Sequence, residues 1–228
     1  MSDASERVLV VIPALNANPT IGRIVTESLQ AAGEVLVVDD GSSDGTGEAA
    51  KAAGAIVIRH EINRGKGAAL STAFAWALER GYGAVVTLDA DGQHVPAEIP
   101  RFIDCRRETG ADLIIGSRRH LFAGMVRRRR MANLFSAKAI SFAAGQRIDD
   151  PQSGFRLYSA ELLRRIRLEG TRFDAESEVI VRAGRAGLRI ESIPIGLAFV
   201  DGLQTSHYRA LVDTLRITWR VLLTRIRH

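Results

Sequence analysis

Cysteine is nearly missing from this chain. Its 228 residues include one, Cys105, so no intrachain disulfide can form and a reducing compartment is the natural setting. No apolar run approaches the roughly 18 residues expected of a membrane span. No basic, apolar and small-residue pattern at the N-terminus marks a signal peptide. These absences predict a cytoplasmic protein and leave room for peripheral contact with the inner face of the cell membrane. The five histidines, His60, His94, His120, His207 and His228, show no metal-ligand spacing. No Gly-x-Ser-x-Gly elbow is present, and Cys105 falls inside an amphipathic stretch, which places it in a core rather than in a nucleophile's position.

Acid is missing from one segment altogether. Residues 1–112 carry ten Lys/Arg and sixteen Asp/Glu, residues 113–148 carry eight Lys/Arg and no acid, and residues 149–228 carry thirteen and ten. The net charge of +5 therefore conceals a strongly basic middle. Such a block suits an anionic partner or, alternatively, a solvated loop. Nucleic acid is a poor fit, because the block interleaves few aromatics and no nucleic-acid-binding motif accompanies it.

What is present is an alternation of short apolar runs and helical stretches. "RVLVVIPAL" (7–15), "EVLVVDD" (34–40), "AIVIRH" (55–60), "YGAVVTLDA" (82–90) and "ADLIIGS" (111–117) read as buried strands. Helices are expected between them, the first capped by Asn18 with Pro19 in its first turn and stopped by Gly33. This predicts an α/β fold with a mostly parallel sheet flanked by helices. After residue 117 the alternation breaks. Helices are expected near 130–144, from Ser159 and over 174–186, with a strand at 188–195. The last 20 residues form an amphipathic helix with Leu211, Leu215, Trp219, Leu222 and Ile226 on one side. No linker or repeat divides the chain, so residues 1–228 are expected to form one domain.

In an open parallel sheet, ligands bind beyond the carboxyl ends of the strands. The polar clusters fall there. "LDADGQH" (88–94) sets Asp89 and Asp91 on the same side of an extended chain. Paired carboxylates repel, and a divalent cation removes that penalty. Oxygen ligands without His or Cys favour Mg2+ or Mn2+ over zinc. Gln93 and His94 stand next in line for a further ligand or a supporting contact. The alternative is a turn in which one aspartate caps the helix near Pro96. "VVDDGSSDGT" offers Asp39 and Asp40 to a nucleobase or ribose, or else to its own turn, with Asp44 as a helix cap. "NRGKGAAL" (63–70) is a glycine-rich helix start bearing Arg64 and Lys66, suited to phosphate. It places Leu70 where the dinucleotide fingerprint needs Gly or Ala, and it follows the third strand rather than the first, which argues against an oxidoreductase.

These motifs, together with "VVIPALNA", "IIGSRR", "DDPQSGFRLYS" and "RFDAESEVIVRAGRAGLRIESIPI", resemble glycosyltransferase family 2 with its GT-A fold. More narrowly they are similar to the bacterial stand-alone polyprenyl-phosphate mannosyl- and glucosyltransferases. The resemblance implies a nucleotide-sugar donor, GDP-mannose or UDP-glucose, and a Mg2+ or Mn2+ ion held by Asp89, Asp91 and Gln93. Pro13, Asn16 and Asp40 would line the nucleotide pocket, with Arg64 and Lys66 near the donor. Ser117, Arg118, Ser153 and Arg156 would sit near the acceptor, and His207 and Arg209 would reach donor or acceptor phosphates. Residues 1–117 would then be the nucleotide-sugar half, and 118–228 the acceptor half with the terminal helix. That helix could pack on the core, form a dimer or lie on a membrane.

The reaction implied is in-line, inverting transfer of a hexose. A polyprenyl-phosphate acceptor is already ionised and needs no base; a sugar or other hydroxyl acceptor needs one, for which Asp150, Glu176 and Glu178 are the candidates. A non-catalytic protein that binds nucleotide sugar or lipid is the alternative from another class.

Overall fold

The structure is a computed structural model that describes residues 7–124, 127–166 and 174–198. The apolar runs become strands β1 (Val8–Ala14), β2 (Val35–Asp39), β3 (Ile56–Arg59), β4 (Ala84–Thr87) and β5 (Leu113–Ser117). Two more follow, β6 (Arg156–Ser159) and β7 (Ile190–Pro194). They form one seven-stranded sheet in the order β3-β2-β1-β4-β6-β5-β7.

The sheet is parallel except at β6. Sequence pattern predicts strands one to five but gives "RLYS" no element of its own. In the structure this segment inserts between β4 and β5 and runs antiparallel to both, with Thr87 opposite Arg156 and Ile115 opposite Arg156. Four residues cannot display enough period to announce themselves, and their pairing is decided by partners more than 40 residues away in sequence. Insertion of β6 has one consequence for function. Because it runs backwards, the loop entering it reaches the edge where β4 and β5 end.

Both faces of the sheet are covered, so consecutive strand residues alternate between two cores. Leu9, Val11, Leu36, Val38, Leu113 and Ile115 face one layer with α3 (Lys66–Glu79), α5 (Arg127–Ala144), α6 (Ala160–Arg165) and α7 (Asp174–Arg185). Val10, Ile12, Val35, Val37, Val86 and Ile114 face the other with α1 (Asn18–Ala32), α2 (Thr46–Ala52) and α4 (Ile99–Thr109). Cys105 is partly buried against that second core, as its amphipathic setting predicts. Ser159 caps α6, its hydroxyl accepting from the Leu162 N–H at 3.0 Å.

One helix cap differs from expectation. Asn18 lies inside the first turn of α1, and Ala17 occupies the cap position without a side-chain bond. The cap comes from the neighbouring loop after β2 and the start of α2 instead: Thr46 Oγ1 accepts from the Ala17 N–H at 2.8 Å and Asp44 Oδ2 from the Asn18 N–H at 3.0 Å. Asp44 Oδ1 also accepts from the Thr46 N–H at 3.1 Å, so a single carboxylate serves the starts of α1 and α2.

Helices α5 and α7 touch so closely that residue 184 has no room for a side chain. A Cβ on Gly184 would lie 2.8 Å from Ala144 Cβ and 2.9 Å from its carbonyl carbon. Gly184→Ala is expected to cost about 1–3 kcal/mol through forced separation of the pair. A scanning-calorimetry midpoint lower by about 2–4 °C per kcal/mol would register it; an unchanged midpoint would mean the helices part freely. The terminal helix expected over the last 20 residues, with His207 and Arg209, lies outside the described residues.

Candidate active site

The ends of β1, β2, β4 and β5 gather their loops on one edge. The turn after β4 holds the paired aspartates. Asp91 Oδ1 accepts from the Gln93 N–H at 3.0 Å, closing an Asx turn, and Gln93 contributes its backbone further by accepting from the Ala198 N–H at 2.9 Å. The turn is therefore real, but it uses Asp91's own backbone neighbourhood and does not cap the helix near Pro96.

His94 holds the other end of the turn. Its Nδ1 accepts from the Asp89 N–H at 3.1 Å, and its ring is 3% exposed and tilted against Phe155 at 5.2 Å. Burial pushes the imidazole below its ordinary value despite the pull of Asp89 and Asp91. A neutral ring with Nδ1 as acceptor is the form this hydrogen bond needs.

Lys66, at the start of α3, reaches the same turn. Its Nζ lies 2.5 Å from Asp89 Oδ1 and 2.8 Å from Glu176 Oε2. Three residues far apart in sequence thus make one charged bridge. Burial alone would raise the Asp89 carboxyl, yet the Lys66 ammonium outweighs it and holds the group well below the usual carboxylate range. Burial likewise works against the ammonium, and Asp89 and Glu176 overcome it and hold Lys66 above its ordinary value. Asp89 is also pressed from below: a Cβ on Gly154 would stand 2.5 Å from its Oδ2. Only glycine lets the loop into β6 pass beneath this carboxylate, and Thr87 Oγ1 fixes that loop by donating to the Gly154 carbonyl at 2.8 Å.

A second ion pair flanks the first. Arg118 donates to Asp150 through Nε at 2.8 Å, through a terminal nitrogen at 3.2 Å and through its backbone N–H at 3.1 Å. Burial tends to lower the guanidinium, while Asp150 raises it above its ordinary value. The pair clamps the base of the basic excursion 118–150, whose two ends it joins. Ser117 Oγ, beside it, accepts from the Arg119 N–H at 3.3 Å.

Several expected contact residues are placed as supports. Arg156 is 1% exposed, and its guanidinium donates to the carbonyls of Ser153, Pro151 and Glu176 at 2.7, 2.7 and 2.8 Å. Ser153 is fully buried. Arg156 thereby ties the loop under Asp89 to the start of α7. Asp40 is 3% exposed and accepts from the N–H groups of Arg64 at 3.0 Å and Gly65 at 2.7 Å, with His60 Nδ1 at 2.6 Å. It shapes the loop that delivers Arg64 and Lys66. Pro13 is buried in β1. Asn16 is exposed at a φ of 50°, and its Oδ1 accepts from the Ser43 N–H at 3.0 Å, so it joins the loops after β1 and β2.

The candidate bases are all engaged. Asp150 is 1% exposed in its pair with Arg118, Glu176 is 7% exposed in its pair with Lys66, and Glu178 lies 3.4 Å from Arg182. For a cation, the donors on offer are hard oxygens, the Asp89 and Asp91 carboxylates, and the buried Glu176 Oε1 on the far side of Lys66 has no hydrogen-bond partner. Among the described residues no three His, Cys, Asp or Glu side chains are gathered closely enough to hold a metal unaided. Such a site fits Mg2+ or Mn2+ whose remaining ligands come from substrate phosphates and water.

A seven-stranded mixed sheet with an Asp-x-Asp turn at its carboxyl edge is the GT-A arrangement. The solved structure of glucosyl-3-phosphoglycerate synthase from Mycobacterium tuberculosis with phosphoglyceric acid superposes at a TM-score of 0.73 and 25% identity, over 97% of this chain and 80% of that one. The family model described as glycosyl transferase family 2 matches residues 9–167. The chain belongs to glycosyltransferase family 2, and it is an enzyme that transfers a sugar. It is 37% identical over 207 residues to undecaprenyl-phosphate mannosyltransferase of Micrococcus luteus, covering 83% of this chain and 82% of that one. It is 36% identical over 206 residues to polyprenol monophosphomannose synthase of Mycolicibacterium smegmatis, covering 84% and 77%.

Proposed function

We propose that this enzyme transfers a hexose from a nucleotide sugar, GDP-mannose or UDP-glucose, to a polyprenyl-phosphate acceptor, with a divalent cation and with inversion at the anomeric carbon. The names of the two relatives point to the acceptor class. The observation within this chain that carries the reading furthest is that each candidate base already faces a cation, Asp150 with Arg118, Glu176 through one oxygen with Lys66, and Glu178 with Arg182. A hydroxyl acceptor must lose a proton as it attacks. A phosphate is an oxyanion at neutral pH and attacks without help.

Asp91 and Asp89 are the residues to hold the cation, with Gln93 as the proposed third donor. When bound, the cation neutralises charge developing on the departing diphosphate. Lys66 and Arg64 stand at the glycine-rich start of α3, where a phosphate would meet both side-chain cations and the positive end of the helix. Lys66, which bridges Asp89 and Glu176, would be available to a donor phosphate oxygen were a cation held by Asp89. Arg118, held in place by Asp150, presents the remaining positive charge toward the acceptor side. Asn16 is the exposed member of the proposed nucleotide pocket.

Titration calorimetry with GDP-mannose and UDP-glucose, each with and without Mn2+, tests the donor. Heat from one sugar nucleotide that disappears without metal is the expected result, and metal-independent binding of neither or both would remove the donor assignment. Product formation with polyprenyl phosphate, set against a sugar alcohol as acceptor, tests the rest. Turnover on the alcohol alone would overturn the phosphate acceptor.

A further inference from the structure

Helix α5 is built the wrong way round for a helix on a water-soluble surface. Its inward face carries small and polar side chains, with Asn133, Ser136, Ala137, Ala143 and Ala144 buried beside Ile140. Its outward face carries the bulky apolar ones. Met131 is 64% exposed and Phe135 58%. Arg127, Met131, Phe135, Lys138 and Phe142 recur at intervals of four, four, three and four, so they form one stripe along a helix about 27 Å long. All five are exposed. Leu121, on the short helical segment preceding α5, is also exposed.

Burying Met131 and Phe135 among the core side chains would have contributed about 1.5–3 kcal/mol each. A chain that forgoes this twice on one face holds that face for something else. The charges say what. Arg127 heads the stripe, Lys138 lies within it, Arg130 flanks it, and no acid occurs between residues 113 and 148. Apolar and aromatic side chains lined up with long cations are the composition of a helix lying in a bilayer interface. There the cationic heads meet anionic headgroups and the apolar bodies enter the acyl boundary. A protein partner on the same face would need acids of its own to meet these cations, and this chain offers none there for a second copy to supply.

We infer that the Arg127–Phe142 stripe of α5 is a docking surface for an anionic lipid bilayer. No described helix is long and apolar enough to cross a membrane, so contact through this face would be peripheral. The geometry ties docking to the site. The excursion that bears α5 is closed at its base by Arg118 and Asp150, so the stripe belongs to the same excursion as the cation proposed for the acceptor. The inference deepens the lipid-phosphate reading but stands on separate observations and can fail separately.

The test is flotation of the full chain with phosphatidylcholine vesicles, with and without phosphatidylglycerol, and containing no polyprenyl phosphate. Binding to the anionic vesicles, weakened by salt, is expected of the native chain. Met131→Ser with Phe135→Ser should reduce partitioning at least about tenfold. Arg127→Glu with Arg130→Glu should remove the preference for anionic lipid and its salt dependence. Nucleotide-sugar binding by calorimetry should survive both pairs of changes, which separates failure of docking from failure of the catalytic reading. Partitioning unchanged in the serine variant would overturn the inference. So would a native dimer in size-exclusion chromatography that the serine variant splits, because the stripe would then be an interface between copies.

Discussion

Asp91→Asn is expected to reduce turnover by more than about 100-fold while leaving the melting temperature unchanged. The two halves of this expectation have separate causes. The asparagine keeps a carbonyl oxygen where Asp91 Oδ1 now accepts from the Gln93 N–H at 3.0 Å, so the Asx turn persists. What it loses is the anionic oxygen offered to the cation. Substitutions merely behind metal ligands cost about 10–100-fold in metal affinity or activity, so removal of a ligand should exceed that range. The informative measurement is donor binding by calorimetry across a Mn2+ series. In the variant, binding should become weak and insensitive to Mn2+. Metal-dependent turnover at the native level would eliminate Asp91 as a ligand. A lowered melting temperature would show that the turn itself had failed.

Lys66→Met should have a different signature. The methionine keeps most of the apolar stem but removes the ammonium that joins Asp89 to Glu176 at 2.5 and 2.8 Å. Two carboxylates are then left facing one another in a confined site, and breaking a buried pair in this way typically costs about 3–5 kcal/mol. A divalent cation can replace the missing charge. Mn2+ should therefore bind the variant more tightly than the native enzyme when no nucleotide is present. It should also restore stability, by about 2.7 kcal/mol at a hundredfold excess over its dissociation constant. Turnover should nonetheless stay low, by about 10²–10³-fold, because the departing diphosphate lacks its partner. Thermal shift with and without Mn2+ reads the first effect and a product assay the second. Lys66→Arg retains the charge and should retain stability without Mn2+. If Mn2+ stabilises the native enzyme and Lys66→Met equally, lysine and metal do not compete for Asp89.

These expectations depend on a site only partly legible in the amino-acid order. Local signals were sufficient for much of it. Apolar runs of valine, leucine and isoleucine marked five strands; β1, β2, β4 and β5 are buried on both faces, whereas β3, expected to be buried, is an edge strand exposed at Ile56 and Arg59. Glycines and aspartates marked the turns after them, and the rule that ligands collect at strand ends turned separate motifs into one site. The Asp-x-Asp turn, the basic excursion, the Ser159 cap and the core position of Cys105 all follow from neighbours a few residues apart. Seven motifs in order carried the family.

What the sequence could not express is pairing at a distance. β6 is a four-residue strand whose direction is set by β4 and β5, and only its antiparallel course brings Gly154 under Asp89. The bridge of Lys66, Asp89 and Glu176 joins three elements through side chains that have no sequence relation. The same limit explains the reassigned residues. Asp40 and Arg156 look like ligand contacts because they are charged and sit in polar motifs. What the sequence could not show is that both are buried, Asp40 accepting from the Arg64 and Gly65 N–H groups and Arg156 donating to three carbonyls. His94, offered by the sequence as a further ligand or a supporting contact, supports the Asp-x-Asp turn by accepting from the Asp89 N–H. Composition and short-range order thus determined the class of protein, the location of its chemistry and the kind of charge required there. The fold alone decided which of those charged groups are buried against partners and which stay exposed, because burial and hydrogen-bond satisfaction are properties of neighbours in space.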